Sequence, residues 1–224
     1  MTEEDYDIQH HKQITAQRNF DFVNFGDYQI KTWYFSPYPL LETEIEEIAT
    51  NANKANLWVC DMCFKYMADA LTLEIHKVIC TRKHPPGRKV YQRGAHTIWE
   101  VDGAKDKLYC QNLSLFGKLF IDVKTLFFDC DNFLFYILTD ATPSTDHILG
   151  FFSKEKHSFD EYNLACIMTL PQYQRMGYGM LMIEFSYELS RRAGKAGTPE
   201  RPLSDLGLRS YLAYWVATLI RFFR

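Results

Sequence analysis

The sequence of 224 residues lacks long apolar runs, an apolar N-terminus and a strong net charge, and each absence excludes a class of protein. No apolar run approaches the roughly 20 residues that a helix needs to cross a bilayer. Residues 1–18 are polar and charged, without the apolar segment of a secretory signal peptide. The formal net charge of −3 argues against a nucleic-acid binder and is compatible with a basic substrate. We therefore expect an intracellular protein without a membrane anchor.

Internal repeats and low-complexity segments are absent too. Apolar residues make up 47% of the sequence and aromatic residues 16%, so most of the chain is expected to fold around a sizeable core. This length suits one large domain or two small ones. We expect residues 1–18 to form a flexible tail and the folded part to begin at Asn19.

Periodicity and turn residues predict strands early in the chain and strand–turn–helix units later. The predicted strands are 20–32 as a hairpin around Gly26, 97–101 and 107–110 as a hairpin around Gly103, 133–139 and 148–154 joined through Pro143, and 162–170. The predicted helices are 41–54, 71–80, 112–119, 177–192 and a final one capped by Ser204 or Asp205. This order favours a mixed α+β fold around a central sheet.

Four metal-ligating side chains stand at a diagnostic spacing. Three of the six cysteines, Cys60, Cys63 and Cys80, cluster with His76 in the pattern C-x₂-C-x₁₂-H-x₃-C. Zinc binds four such ligands in a tetrahedron, and a helix at this point puts His76 and Cys80 one turn apart on one face. The pattern predicts zinc rather than disulfides, as expected in a reducing compartment. A metal-free cluster is the alternative, and His84 is the substitute ligand if Cys80 does not bind.

The segment around these ligands is expected to be a small zinc finger with a structural metal. Apolar side chains between the ligands supply its core, namely Phe64, Tyr66, Leu71 and Leu73. Acidic and basic residues nearly balance there, so readout of DNA bases is not evident. We therefore expect no sequence-specific DNA binding.

A second diagnostic segment lies between Leu170 and Leu181. An apolar run ends at Pro171, a turn with Gly177 and Gly179 follows, and an amphipathic helix begins directly after. Glycines let a ligand approach the backbone, and the first N–H groups of a helix have no partners within it, so the arrangement suits a phosphate group. The third glycine of a dinucleotide fold and the Gly-Lys-Ser/Thr of a P-loop are both missing. The turn resembles the coenzyme A loop of N-acetyltransferases, and an ordinary tight turn before a helix is the alternative.

Together with the finger and the glycine turn, further segments resemble the MYST family of histone acetyltransferases, from about residue 20 to the end of the chain. They are WYFSPYP at 33–39, HPPG at 84–87, GFFSKEK at 150–156, ACI at 165–167, FSYELS at 185–190 and PERPLSDLG at 199–207. The resemblance implies a GNAT-like acetyltransferase fold, in which helices flank a central mixed sheet and a C2HC zinc finger precedes it. It implies one domain over 19–224, with the finger at 57–82 and a cofactor-binding core at about 107–207.

The resemblance also implies an activity. It is the transfer of an acetyl group from acetyl-CoA to lysines of histone tails on the nucleosome, in the nucleus and within a multi-subunit complex. The family usually continues beyond the position of Arg224, so we expect a chain truncated at its C-terminus, and Ala213 stands where a serine is expected near the adenosine phosphate. Two alternatives stay open: a weakly active scaffold or docking subunit, and an acetyltransferase for non-histone proteins.

Individual residues acquire roles from the same resemblance. Glu200 matches the general base and Cys166 the active-site cysteine. Ser204 matches a serine that contacts the cofactor near its sulfur, and Ile167 and Thr169 hold the acetyl group and pantetheine through backbone groups. The cofactor loop consists of Gln174, Arg175, Met176, Gly177, Tyr178 and Gly179.

The implied roles agree with the chemistry of acetyl transfer. A lysine ammonium has a pKa of about 10.4, so a base such as the Glu200 carboxylate must remove a proton before the amine attacks. We favour direct attack in a ternary complex over a covalent acetyl step on Cys166. Backbone N–H groups near Cys166 and Ile167 are expected to stabilise the developing oxyanion. The resemblance further implies autoacetylation of Lys124, although Val123 precedes it where a histidine is usual.

Overall fold

The computed structural model describes residues 17–41, 55–122, 129–142 and 144–224, which belong to two compact units. The first unit falls within residues 1–82 and 108–128, and the second within residues 83–107 and 129–224. Several expectations lie outside the described residues: the tail before residue 17, the helix after Leu41, the turn at Pro143 and the modified Lys124.

The first unit contains a four-stranded sheet. Its strands are β1 (Phe22–Phe25), β2 (Tyr28–Lys31), β3 (Asn56–Val59) and β4 (Tyr66–Met67), in the order β2–β1–β3–β4. The first two strands form the predicted hairpin, with Gly26 at a φ of 61° in the turn. β1 also pairs in parallel with β3. That pairing was not predicted, because the two strands are far apart in the sequence and no local pattern marks their contact.

Two helices complete the first unit. α1 spans Ala70–Ile79, close to the predicted 71–80. α2 spans Lys107–Lys118, so the prediction of a strand at 107–110 is wrong. Tyr109, Leu113 and Phe116 are buried at helical spacing, which shows that the apolar face of the helix predicted at 112–119 begins earlier than expected.

An aromatic cluster forms much of the core of the first unit. Phe25, Phe64 and Phe116 pack in a triangle, with ring centroids between 4.6 and 5.4 Å apart. Tyr109 meets the Phe64 ring edge-on at 5.5 Å. Burial of one such side chain contributes about 1.5–3 kcal/mol, so these rings hold β1, α2 and the turn that follows β3 together.

The second unit is built on an antiparallel sheet. Its strands are β5 (Arg88–Arg93), β6 (His96–Asp102), β7 (Phe133–Ala141), β8 (Asp146–Glu155), β9 (Tyr162–Leu164), β10 (Cys166–Thr169) and β11 (Thr198–Pro199). Five of them form a sheet in the order β10–β8–β7–β6–β5. β6, β7 and β8 match predicted strands, but β6 pairs with β5 across a turn at Gly94 rather than with residues 107–110. The combination of sheets and helices confirms the α+β class.

The strand predicted over 162–170 is divided in two. β9 pairs in parallel with β11, whereas β10 pairs antiparallel with β8. Ala165 lies at the break, where its N–H donates to the Ser153 carbonyl at 2.8 Å. The residues on either side of Ala165 therefore belong to different sheets.

Two helices follow in the second unit, α3 (Tyr178–Arg192) and α4 (Asp205–Phe222). The apolar face predicted for α3 is confirmed, because Met182 is fully buried in the core cluster and Leu181 and Phe185 pack against that cluster. α4 packs on α3 through Trp215, whose ring N–H donates to the Tyr187 hydroxyl at 2.8 Å. Within the described part of the chain, no helix has the length and apolar character that crossing a membrane requires.

Candidate metal centre and candidate active site

The four predicted metal ligands converge in the first unit. The sulfurs of Cys60, Cys63 and Cys80 and a ring nitrogen of His76 all lie within 4.8 Å of one another. Cys60 Sγ lies 4.0 Å from Cys80 Sγ, and Cys63 Sγ lies 3.2 Å from His76 Nε2. Ligands that bind zinc tetrahedrally at about 2.0–2.3 Å stand roughly 3.3–3.8 Å apart. The cluster therefore fits a structural zinc ion.

A tight turn and a capped helix position these ligands. The Cys60 N–H donates to the Lys65 carbonyl and the Phe64 N–H to the Cys60 carbonyl, both at 2.9 Å, which closes a knuckle around the first two cysteines. Phe64 adopts a φ of 61°, a conformation that costs a residue with a Cβ about 1 kcal/mol, and its fully buried ring holds it there. Asp69 caps α1, accepting a hydrogen bond from the Thr72 N–H at 2.9 Å.

The first two thiols interact, and the interaction shifts their pKa values in opposite directions. A hydrogen bond with Cys63 lowers the pKa of Cys60 to about 5, and the same contact, together with burial, raises the pKa of Cys63. Zinc binds thiolates, so loading this site releases a proton and metal affinity falls as the pH drops.

The core of the finger departs from the prediction at one position. Met67 and Leu73 are buried beside Cys60, whereas Leu71 is 65% exposed. Two residues along a helix rotate the side chain by about 200°, so α1 buries Leu73 and turns Leu71 to its other face.

His84, the substitute ligand, is engaged within the second unit. Its ring stacks on Trp99 with centroids 4.4 Å apart, and its Nδ1 lies 2.8 Å from the Pro85 carbonyl oxygen. The ring of Trp99 in turn donates to the Asp146 carboxylate at 2.8 Å. The metal cluster is complete with Cys80 and does not require this histidine.

In the second unit, the glycine turn leaves backbone donors at the start of α3. Gly177 is the N-cap, with a φ of 88°, and no side chain caps the helix there. The first hydrogen bond of the helix runs from the Leu181 N–H to the Gly177 carbonyl at 3.0 Å. The N–H groups of Tyr178 and Gly179 precede that bond and have no partner inside the helix. Arg175 is exposed beside them, so this end of α3 offers amide donors and a cation to an anionic ligand.

The two glycines of the turn serve different purposes. A Cβ on Gly177 would meet nothing within 4 Å, so only the positive φ requires glycine there. A Cβ on Gly179 would lie 3.6 Å from Thr169 Oγ1, an ordinary contact, and its φ is not in the left-handed region. Neither packing nor backbone conformation within the described residues therefore requires glycine at position 179.

Two hydrogen bonds hold the turn against the sheet. The Gln174 side-chain amide donates to the Thr169 carbonyl at 3.2 Å, at the end of β10. The Tyr178 hydroxyl lies 3.4 Å from His96 Nε2, at the start of β6. His96 was not predicted as a site residue, because its place beside the turn depends on a strand distant in the sequence.

β10 forms one edge of the five-stranded sheet, and among the described strands it pairs only with β8. Cys166 and Ile167 are half-buried there, opposite Ser153 and Phe152. A Cβ on Gly150 of β8 would lie 2.5 Å from the Met168 carbonyl oxygen. Glycine at that position lets the two strands approach closely.

Glu200 is fixed to the strand that precedes Cys166. Its N–H donates to the Leu164 carbonyl at 2.8 Å, directly after Pro199 pairs with Leu164. Pro199 is buried and Glu200 is exposed. Because the chain breaks at Ala165, Glu200 and Cys166 are attached to adjoining ends of β9 and β10.

The remaining predicted residue, Ser204, lies at the start of α4. Its hydroxyl oxygen accepts a hydrogen bond from the Gly207 N–H at 3.1 Å and so caps the helix. The cap accounts for a serine at this position by itself. The hydroxyl hydrogen remains for a further acceptor, so the predicted contact with a cofactor stays a prediction.

Comparison with known proteins places both units in one group. The MOZ/SAS family matches residues 84–224, and the MYST family zinc finger domain matches residues 17–80. "Histone acetyltransferase of the MYST family 2" of Arabidopsis thaliana is 48% identical over 95% of this chain and 46% of its own length. "Histone acetyltransferase ESA1" of Kluyveromyces lactis gives the same three values. "Histone acetyltransferase MOF" of Drosophila melanogaster is 49% identical over 94% of this chain and 24% of its own length. The chain spans about half the length, or less, of these relatives.

Proposed function

Because this chain belongs to the MYST family of histone acetyltransferases, we propose that it transfers acetyl groups from acetyl-CoA to lysine ε-amines of histone tails. The observation that carries the proposal is the uncapped start of α3 at the end of the edge strand β10. An anionic carrier with an extended arm fits this arrangement. Its anionic group would accept hydrogen bonds from the N–H groups at the start of α3, and its arm would lie along the open edge of β10.

The residues around the glycine turn fit the diphosphate of acetyl-CoA. The N–H groups at the start of α3 would donate to the phosphate oxygens, and Gly179 would let them approach. The cofactor contacts we propose are Ile167, Thr169, Gln174, Arg175, Met176, Gly177, Tyr178, Gly179 and Ser204. The backbone groups of β10 would hold the pantetheine arm and the acetyl group.

We assign the proton transfer to Glu200. When bound, acetyl-CoA would supply an acetyl thioester. Attack by the neutral lysine amine would form an N–C bond and break the C–S bond, and coenzyme A would leave as a thiolate that takes up the remaining amine proton. Glu200 would take the ammonium proton, and the pairing of its N–H with the Leu164 carbonyl would keep the carboxylate on one side of β9. N–H groups near Cys166 and Ile167 would stabilise the oxyanion. Cys166 lies at the site without being required as a covalent carrier.

We assign a structural role to the metal. Cys60, Cys63, His76 and Cys80 would hold Zn²⁺ in a closed, four-coordinate site, as their mutual distances allow. We retain the proposal of one acetyltransferase domain over 19–224, with its finger at 57–82 and its cofactor-binding core at about 107–207.

The biological setting is also a proposal. The names of the relatives supply histones as the substrate class, and the net charge of −3 suits a basic substrate. From these we infer chromatin as the place of action, the nucleus as the location and other subunits of an acetyltransferase complex as partners. Autoacetylation of Lys124 remains a prediction about a residue outside the described part of the chain.

Incubation of this chain with nucleosomes and acetyl-CoA, followed by mass spectrometry, tests the proposal. We expect acetylated lysines in histone tails, and we expect Glu200→Gln to lower the rate by roughly 10² or more. Glu184→Gln is a matched control, because Glu184 is exposed on α3 and pairs with Arg221 at 3.5 Å. Acetyl-CoA binding without transfer to any basic peptide would favour the scaffold alternative. Transfer to basic non-histone peptides alone would favour the alternative of an acetyltransferase for non-histone proteins.

A further inference from the structure

Asn163 in β9 is a buried side chain whose polar atoms have no partner. It is 1% exposed, and neither Oδ1 nor Nδ2 finds a hydrogen-bond partner among the described residues. A buried amide left unsatisfied costs about 1–3 kcal/mol, so such groups are rare unless they serve another purpose. A leucine of similar shape would fill the same space without this cost.

The amide packs against the backbone at Gly197. A Cβ built there would lie 2.9 Å from Asn163 Nδ2 and 2.4 Å from Ser190 Oγ, and Gly197 has a φ of 70°. Both the contact and the backbone conformation exclude a side chain at this residue. Asn163 and Ser190 therefore define where the segment from Gly197 to Glu200 begins.

The Ser190 hydroxyl oxygen can accept a further hydrogen bond. The hydroxyl donates to the Ser186 carbonyl at 3.2 Å, which uses its only hydrogen. Further bonds to Ser190 Oγ must come from a donor, and Asn163 Nδ2 is a donor on the same side of Gly197. Both atoms face the same point beside the Gly197 backbone.

The same segment sets the position of Glu200. Thr198 pairs with Tyr162 and Pro199 with Leu164, so the register skips Asn163 between them. Glu200 follows directly and donates its N–H to the Leu164 carbonyl. Asn163 is therefore the residue that the pairing of β9 with β11 skips, and it adjoins Leu164, whose carbonyl accepts from the Glu200 N–H.

We propose that Asn163 is a positioning residue for Glu200, whose amide fixes the segment from Gly197 to Glu200 against Ser190 of α3. The inference rests on the proposed function, since it assumes that Glu200 acts as the base. The amide would hold the segment by donating a hydrogen bond to Ser190 Oγ, a role that an apolar residue of the same shape could not fill.

Asn163→Leu separates this role from a structural one. We expect kcat to fall about tenfold or more, while the acetyl-CoA Kd and the melting temperature stay unchanged or the melting temperature rises. Amide hydrogen exchange at Glu200 should become faster, because the segment that holds its N–H loses a restraint. Leu149→Met, a volume-conserving change at a buried residue of β8, controls for ordinary repacking. It should alter neither kcat nor hydrogen exchange at Glu200.

Each outcome bears on the inference. A fall in kcat accompanied by a lower melting temperature and weaker acetyl-CoA binding would mean that Asn163 is only structural, and would overturn it. An unchanged kcat and unchanged exchange at Glu200 in an active parent would overturn it as well, while leaving the proposed function intact. If the parent chain transfers no acetyl group at all, the proposed function fails. Faster exchange at Glu200 in the variant would then still support the restraint on that segment.

Discussion

The knuckle at Cys60 and the turn at Gly177 both use left-handed backbone, yet they prepare opposite kinds of site. Phe64, with a φ of 61°, is fully buried and turns cysteine side chains inward. Gly177, with a φ of 88°, is exposed and turns backbone N–H groups outward. In the first site the proposed ligand would be recognised by residue type, and in the second by backbone conformation. The two sites should therefore respond differently to substitution.

The largest effect is expected at the metal site. Cys63→Ser, or removal of zinc with a chelator, should unfold the segment from β3 to α1, because structural zinc contributes on the order of 10 kcal/mol to folding of such fingers. Metal analysis should find one zinc per chain in the parent and none in the variant, and circular dichroism should report the lost helix. Cys130→Ala changes a buried cysteine of the second unit and should retain the metal. A folded, metal-free finger would contradict the prediction.

A smaller effect is expected at the turn, where the two glycines can be compared. Gly177→Ala should weaken acetyl-CoA binding about tenfold and lower the free energy of unfolding by about 1–2 kcal/mol, because alanine strains the left-handed cap. Gly179→Ala should weaken binding without a measurable change in stability, since its Cβ only touches Thr169 Oγ1 at 3.6 Å. Calorimetry and urea unfolding measure both quantities. Equal loss of stability in the two variants would contradict the prediction. It would mean that Gly177 is not distinguished from Gly179 by its backbone conformation.

The smallest effects are expected at the helix caps. Asp69→Ala and Ser204→Ala should each cost about 1 kcal/mol of stability in their own unit. Ser204→Asp should restore the cap without restoring the hydroxyl, so weakened acetyl-CoA binding in both variants, with stability lost only in Ser204→Ala, would separate the cofactor contact from the cap. Urea unfolding and calorimetry give the two readouts.

The Asp69 cap should also respond to pH. Hydrogen bonds from Thr72 lower the pKa of this carboxyl below its usual value of 3.8. The cap therefore stabilises α1 fully above that value and loses its contribution as the pH falls through the lowered pKa. Asp69→Asn should remove this acid dependence while retaining a cap, as stability measured between neutral and acid pH would show.

Sites whose residues lie within one short segment of the sequence could be predicted. Contacts that depend on the pairing of distant strands could not. The spacing of Cys60, Cys63, His76 and Cys80 fixes a metal cluster because a knuckle and one helix supply all four ligands. The strand–glycine–helix order likewise predicts the uncapped start of α3. Both depend on segments of fewer than about 25 residues, within which periodicity and turn chemistry are informative.

The errors have two physical causes, an apolar helix face that begins earlier than expected and strand pairing between distant segments. Residues 107–110 form part of α2 because buried residues further along the chain extend its apolar face. The run from Tyr162 divides at Ala165 because β9 and β10 pair with strands that no local pattern links to them. Asn163 was missed for the same reason: its environment is supplied by Gly197 and Ser190, both distant in the sequence.

Gly150 has an evolutionary consequence. Every amino acid other than glycine would place a Cβ 2.5 Å from the Met168 carbonyl oxygen, so a substitution at this site requires β8 or β10 to move. Drift at its codon should be limited to synonymous change across lineages, even where the exposed residues around it diversify. The close approach of β8 and β10 should then be retained during evolution. A change in what binds at the neighbouring strand edge would require substitutions at other positions.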